Sequence, residues 1–193
     1  MKTVKNGKVV EKNVKKSKFI SKAFNVEDAE DVLEILDLMK ESYPDSTHIV
    51  YGLVIGSFEK CSDDGEPSGT AGKPILNLIK KQNLDNVLIV VVRYFGGIKL
   101  GTGGLVKSYT ESAKFALENA EIVEMTLKVN VNTHISYDKA FQIYLLSNSG
   151  LFSIKNRIGN DFVLECDVEN EIRVVESLDL LGCSEIETYK VLV

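Results

Sequence analysis

Cysteine is scarce in this sequence: Cys61, Cys166 and Cys183 are odd in number, widely spaced and form no C-x-x-C pair. That speaks against a disulfide framework or a cysteine zinc site and predicts a reducing compartment. Long apolar runs are missing too. No segment approaches the ~18 residues of a membrane span, and the lysine-rich start MKTVKNGKVVEKNV lacks the apolar core of a signal peptide. A cytoplasmic protein with no membrane partner is expected. Overall positive charge is lacking as well: the formal net charge is −5, which for the whole molecule argues against nucleic acid. Its distribution changes that picture. Residues 1–22 hold eight lysines against Glu11 alone, whereas residues 121–193 hold six basic and twelve acidic residues. A basic arm on an acidic body can meet phosphates locally; the alternative is a solvated hairpin whose lysines guard a sheet edge.

Several named motifs are absent. Gly101-Thr-Gly-Gly-Leu-Val-Lys107-Ser108 has Val106 where a Walker A loop needs glycine, and no G-x-G-x-x-G follows the nearby strand. There is no H-E-x-x-H site, and the acids Asp63, Asp64 and Glu66 lack the spacing of an EF-hand loop. No metal or cofactor is expected.

What the sequence does have is concentrated in residues 61–110. Of the 14 glycines, Gly65, Gly69, Gly72, Gly96, Gly97, Gly101, Gly103 and Gly104 all fall there. Glycine costs conformational entropy and is useful where φ is positive or a backbone must be approached closely, so this density suggests a site. Val87 to Val92 is apolar without alternation, the pattern of a strand buried on both faces. It delivers Arg93, Tyr94 and Phe95 to its end, where Gly96 and Gly97 break the chain. Gly101-Thr102-Gly103-Gly104 then leads into a helix beginning near Leu105. Helix N-termini bind anions, and with Arg93 and Lys99 nearby a phosphate or carboxylate site is expected. The bland alternative is a tight strand-to-helix turn.

Residues 62–76 (SDDGEPSGTAGKPIL) and 90–109 (VVVRYFGGIKLGTGGLVKSY) together closely resemble the two signature segments of the IMPACT (YigZ-type) family. The resemblance runs through the whole chain and is closest to the bacterial two-domain members. It implies an α+β protein: an N-terminal domain similar to the second domain of ribosomal protein S5 (1–121), then a ferredoxin-like domain similar to an elongation factor G module (122–193). It also implies an association with translation and its regulation, with RNA or a ribosomal or translation partner. Sequence-specific DNA binding is not implied. Eukaryotic members carry a further N-terminal module that contacts the activator of a translation-initiation-factor kinase. Residues 1–26 do not resemble it, so that role is not expected here.

Along the chain, residues 3–24 read as a hairpin with Asn6-Gly7 as its turn signal. Ala29, Val32, Leu33, Leu36 and Met39 mark a helix over 27–42, and 47–58 reads as one long strand with His48 at its start. Ser68 or Thr70 is the expected N-cap of a helix over 71–82. Strict alternation over 126–136 places His134 on a polar sheet face. Helix 137–149, strands 151–158 and 161–168, helix 169–182 and strand 184–193 complete a β-α-β-β-α-β unit. Nothing in the sequence specifies an oligomer.

Two functions follow. The first is a binding module that contacts RNA through Lys73, Arg93, Tyr94, Lys99, Lys107 and the glycine turn Gly96, Gly97, Gly101, Thr102, Gly103 and Gly104. In that reading Arg93→Ala or Lys99→Ala weakens anion binding without unfolding the protein. The second is a hydrolase for a phosphorylated or peptide substrate, with His48, Asp63, Asp64 and Glu66 as candidate acid–base groups. An internal ion pair between the acidic loop and Arg93 or Lys73 is the structural alternative. The absence of a nucleophile–base pair favours binding.

Overall fold

A computed structural model describes residues 2–5 and 7–192; it is α+β and divides into two compact units, up to Glu124 and from Met125 onward. The break falls three residues after the position expected from the sequence. The reason is β7 (Ile122–Glu124), which returns to pair antiparallel with β1 (Lys2–Val4).

The first unit is built on an antiparallel five-stranded sheet in the order β2-β3-β6-β4-β5. Its strands are β2 (Val10–Val14), β3 (Ser17–Asn25), β4 (His48–Ile55), β5 (Phe58–Ser62) and β6 (Val87–Tyr94). The apolar run makes β6 the central strand, and every side chain from Val87 to Val92 is fully buried. Val87, Ile89 and Val91 face a core shared with α2 (Gly72–Lys81) and α3 (Gly101–Glu118). Leu88, Val90 and Val92 face the opposite core, with Val32 and Met39 of α1 (Ala29–Ser42). Alternation is lost because both faces are covered, and burial of each such side chain contributes about 1.5–3 kcal/mol.

Two turns differ from the sequence reading. The hairpin β2–β3 closes at Lys15-Lys16, both with positive φ (44° and 69°), where a two-residue loop must match the strand twist. The expected Asn6-Gly7 turn is not this one, and Asn6 lies outside the described residues. The long strand 47–58 is a hairpin instead: Gly56 (φ 55°) turns the chain, and Phe58 pairs back with Ile55. Among the described residues, no helix is long and apolar enough to cross a membrane.

The second unit follows the β-α-β-β-α-β order: β8 (Leu127–His134), α4 (Ala140–Ser147), β9 (Ser153–Ile158), β10 (Asp161–Asp167), α5 (Glu171–Leu181) and β11 (Ser184–Leu192). The sheet order β11-β8-β10-β9, antiparallel throughout, is ferredoxin-like. Val129, Val131, Phe162 and Leu164 pack with Val174 and Leu178 in its core. His134 lies half-exposed, with Nδ1 2.6 Å from Asp161 Oδ1.

Candidate functional site: a cleft at the start of α3

The acidic loop uses most of its charge on its own backbone. Asp63 Oδ1 accepts the N–H groups of Ala71 (3.0 Å) and Gly72 (2.8 Å), and its Oδ2 accepts that of Gly69 (2.7 Å). Asp63 therefore caps α2 from a distance, in place of Ser68 or Thr70; the Thr70 hydroxyl donates to Pro67 O instead. Burial pushes the Asp63 carboxyl up, but the N–H bonds from Gly69, Gly72 and Ala71 together outweigh it and hold it below its ordinary value. The Asp64 carboxylate accepts the Ile49 N–H (2.5 Å), and its carbonyl oxygen lies 2.7 Å from His48 Nδ1. A carbonyl can only accept, so Nδ1 carries the proton and Nε2 is left facing outward from that contact.

Glu66 is the acid that turns inward. It is buried, and its Oε1 accepts from Arg93 Nη1 (2.5 Å) and from the Tyr109 hydroxyl (2.6 Å), with His48 Nε2 at 3.8 Å. Arg93 is 4% exposed. Its Nη2 donates to Ser17 Oγ (3.2 Å), and its guanidinium lies between the rings of Phe19 (5.5 Å) and Phe95 (5.4 Å). Burial first, then the neighbouring Glu66 charge, raises the Tyr109 hydroxyl far above its ordinary value, so it is a fixed donor. The Ser17 hydroxyl also accepts the Gly96 N–H (3.3 Å). Gly96 is required by close approach: a Cβ there would stand 2.0 Å from Lys16 O.

Helix α3 begins at Gly101, four residues before the expected Leu105. The residue at its cap position, Leu100, offers no side-chain acceptor, and Gly101 enters with φ 74°, a conformation natural to glycine. Gly101, Thr102, Gly103 and Gly104 thus form the first turn of the helix rather than a loop before it. The N-terminus borders a cleft of about 380 Å³ lined by His48, Glu66, Pro67, Arg93, Phe95, Lys99, Leu100, Gly101, Thr102 and Leu105. Lys99 is exposed and makes no ion pair among the described residues.

The fold therefore brings together His48, Glu66, Arg93, Lys99, Gly101 and Thr102. It separates the rest. Asp63 and Asp64 serve the backbone, and Tyr94 packs on the opposite sheet face with the α1 core. Lys73 lines a different groove, between α2 and α3, and Lys107 is exposed near Glu111 (3.9 Å). Gly97 turns the chain with φ 83°. Arg93 is not the open surface contact expected from the sequence: its charge is buried and matched by Glu66, so its removal bears on stability, and only its Nε is left without a partner among the described residues. Ser17 was not legible as a site residue, being 76 positions from Arg93 and outside both signature segments; Tyr109 closes the segment 90–109 that holds Arg93, and that place was its signal. Phe95 had a signal in its place beside the glycine turn.

Residues 15–117, more than half of the chain, match the Impact N-terminal domain. An IMPACT family member of Bacillus subtilis (strain 168), YvyE, is 39% identical over 138 residues, 70% of this chain and 64% of that protein. An IMPACT family member from Thermus thermophilus is 37% identical over 131 residues, covering 68% of this chain and 72% of the relative. Over 97% of this chain and 95% of the other, the fold superposes on a crystal structure of a hypothetical protein with a TM-score of 0.70 and 26% identity. The matched part thus spans just under two thirds of the Bacillus relative. On these matches, and with both signature segments folded around one cleft, the chain belongs to the IMPACT family.

Proposed function

We propose that this is a cytoplasmic, translation-associated binding protein whose first unit takes RNA by a phosphate group in the cleft at the start of α3. The observation that carries this reading is the uncapped first turn of an 18-residue helix, with the free Lys99 beside it, facing a cleft whose one acid, Glu66, is neutralised internally by Arg93. Backbone N–H groups and the helix dipole at such a terminus favour an anion. The translation context is what the family resemblance implies.

The test is binding of labelled total RNA and ribosomal subunits at about 50 and about 200 mM salt, for the wild type and Lys99→Ala. Saturable binding that weakens with salt is expected, with a log–log slope smaller by about 1 in the variant. Absence of saturable binding at low salt overturns the reading.

One observation favours a second reading, a hydrolase for phosphorylated or peptide substrates. His48 is oriented through Nδ1, and its Nε2 is turned toward Glu66 in the same cleft, the arrangement of an acid–base histidine. Turnover of phosphorylated metabolites or dipeptides, lost in His48→Ala, would establish it.

A further inference from the structure

One residue of the cleft carries a polar atom that the described residues leave unanswered. Arg93 lines the cleft and is 4% exposed, and its Nε is buried with no hydrogen-bond partner among the described residues, although Nη1 and Nη2 are both engaged. Buried donors are almost always paired, and this one, on a residue that lines the cleft, is left open for an acceptor that the described residues do not supply. The remaining polar groups differ in kind and in origin. The first-turn amides and the Thr102 hydroxyl come from α3, Lys99 from the segment before it, and His48 from the start of β4.

We infer that the cleft reads a terminal phosphomonoester of a nucleotide, the end of an RNA strand or a free mononucleotide, rather than an internal phosphodiester. This deepens the RNA reading and rests on it. A phosphomonoester carries about −1.5 to −2 charge near neutral pH and three strong acceptor oxygens. That charge and those acceptors are matched by the unpaired Lys99 and the positive end of α3, with the polar groups of Thr102 and His48 beside them. With Nδ1 donating to Asp64 O, the His48 Nε2 accepts from a protonated phosphate oxygen when the ring is neutral and donates to an ionised one only as the imidazolium. A cavity of about 380 Å³ suits a single nucleotide. Its apolar lining, Leu100, Leu105 and the 44%-exposed Phe95, gives the attached base a surface on which to lie.

The experiment compares one short RNA sequence in three forms, 5′-phosphorylated, 3′-phosphorylated and hydroxyl at both ends, by fluorescence anisotropy, with AMP and inorganic phosphate as competitors. At least one phosphorylated form should bind about tenfold or more tightly than the hydroxyl form, the gain of a charge-assisted hydrogen bond. AMP should compete better than inorganic phosphate. His48→Ala and Lys99→Ala should each shrink the difference between ends, and circular dichroism would verify that both variants fold. Equal binding of all three RNAs overturns the inference while RNA binding itself stands. AMP binding without RNA binding sustains the inference for a free nucleotide and overturns the RNA reading. Binding of neither overturns both, and equal competition by AMP and inorganic phosphate overturns the base contact.

Discussion

Arg93→Ala tests whether the centre of this site is structural. The Arg93 and Glu66 side chains are 4% and 3% exposed, with Nη1 and Oε1 2.5 Å apart. Removing the guanidinium leaves the Glu66 carboxylate buried with the Tyr109 hydroxyl as its close donor, and leaves Ser17 Oγ without one of its donors. Breaking a buried pair in this way costs about 3–5 kcal/mol. Against a typical total of about 5–15 kcal/mol, that is a large share. For a unit of this size, about 4 °C of Tm per kcal/mol gives a fall of about 12–20 °C. Scanning calorimetry should show it in the transition of the first unit, with a parallel drop in the urea midpoint. Replacing both partners, Arg93→Met with Glu66→Leu, should recover much of the loss, because the cost lies in the unpaired charge and not in the missing bond. An Arg93→Ala protein that melts within about 2 °C of the wild type would refute the argument, since that corresponds to less than about 1 kcal/mol.

Asp63→Ala should cost about 1–2 kcal/mol by uncapping α2, seen as a lower urea midpoint, because its carboxylate serves three N–H groups. The same carboxyl has a folded pKa below its ordinary value. Its contribution is therefore fully present above the unfolded pKa of about 3.9 and is lost as pH falls through the folded value; an acid titration of stability should show a shallower loss in Asp63→Asn. Gly96→Ala should destabilise by about 1–3 kcal/mol, since the added Cβ meets Lys16 O and one of the two backbones must move; an unchanged Tm would contradict that close approach. Lys15→Asn with Lys16→Gly should raise stability by about 1 kcal/mol in urea unfolding, because both positions have positive φ in a two-residue hairpin turn.

Much of the fold was legible in the sequence because its signals are local. An apolar run without alternation predicts a strand covered on both sides, and Val87–Val92 is the centre of a three-layer unit. Helical spacing marked α1, and strict alternation marked β8, because a side chain's direction repeats with the backbone period whatever it packs against. The two signature segments identified the family, and the glycines marked the place where the chain turns into α3.

Tertiary structure decided which charges meet. Arg93 finds Glu66 across 27 positions and Ser17 across 76, and Glu66 finds Tyr109 across 43. No periodicity encodes such pairings, because they depend on strand order and on the angle at which α3 leaves the sheet. The acidic loop looked like one cluster in sequence, yet the fold gives Asp63 to a helix cap, Asp64 to a strand end and Glu66 to the buried arginine. Three neighbouring carboxylates repel one another, and each is stabilised by moving to a separate set of donors. Hairpin turns were misplaced for a related reason. Asn6-Gly7 has the stronger local turn preference, but the pairing of Val10–Val14 with Ser17–Ser21 buries Phe19 and Ile20 on opposite faces of the sheet, and that burial outweighs the cost of two left-handed lysines.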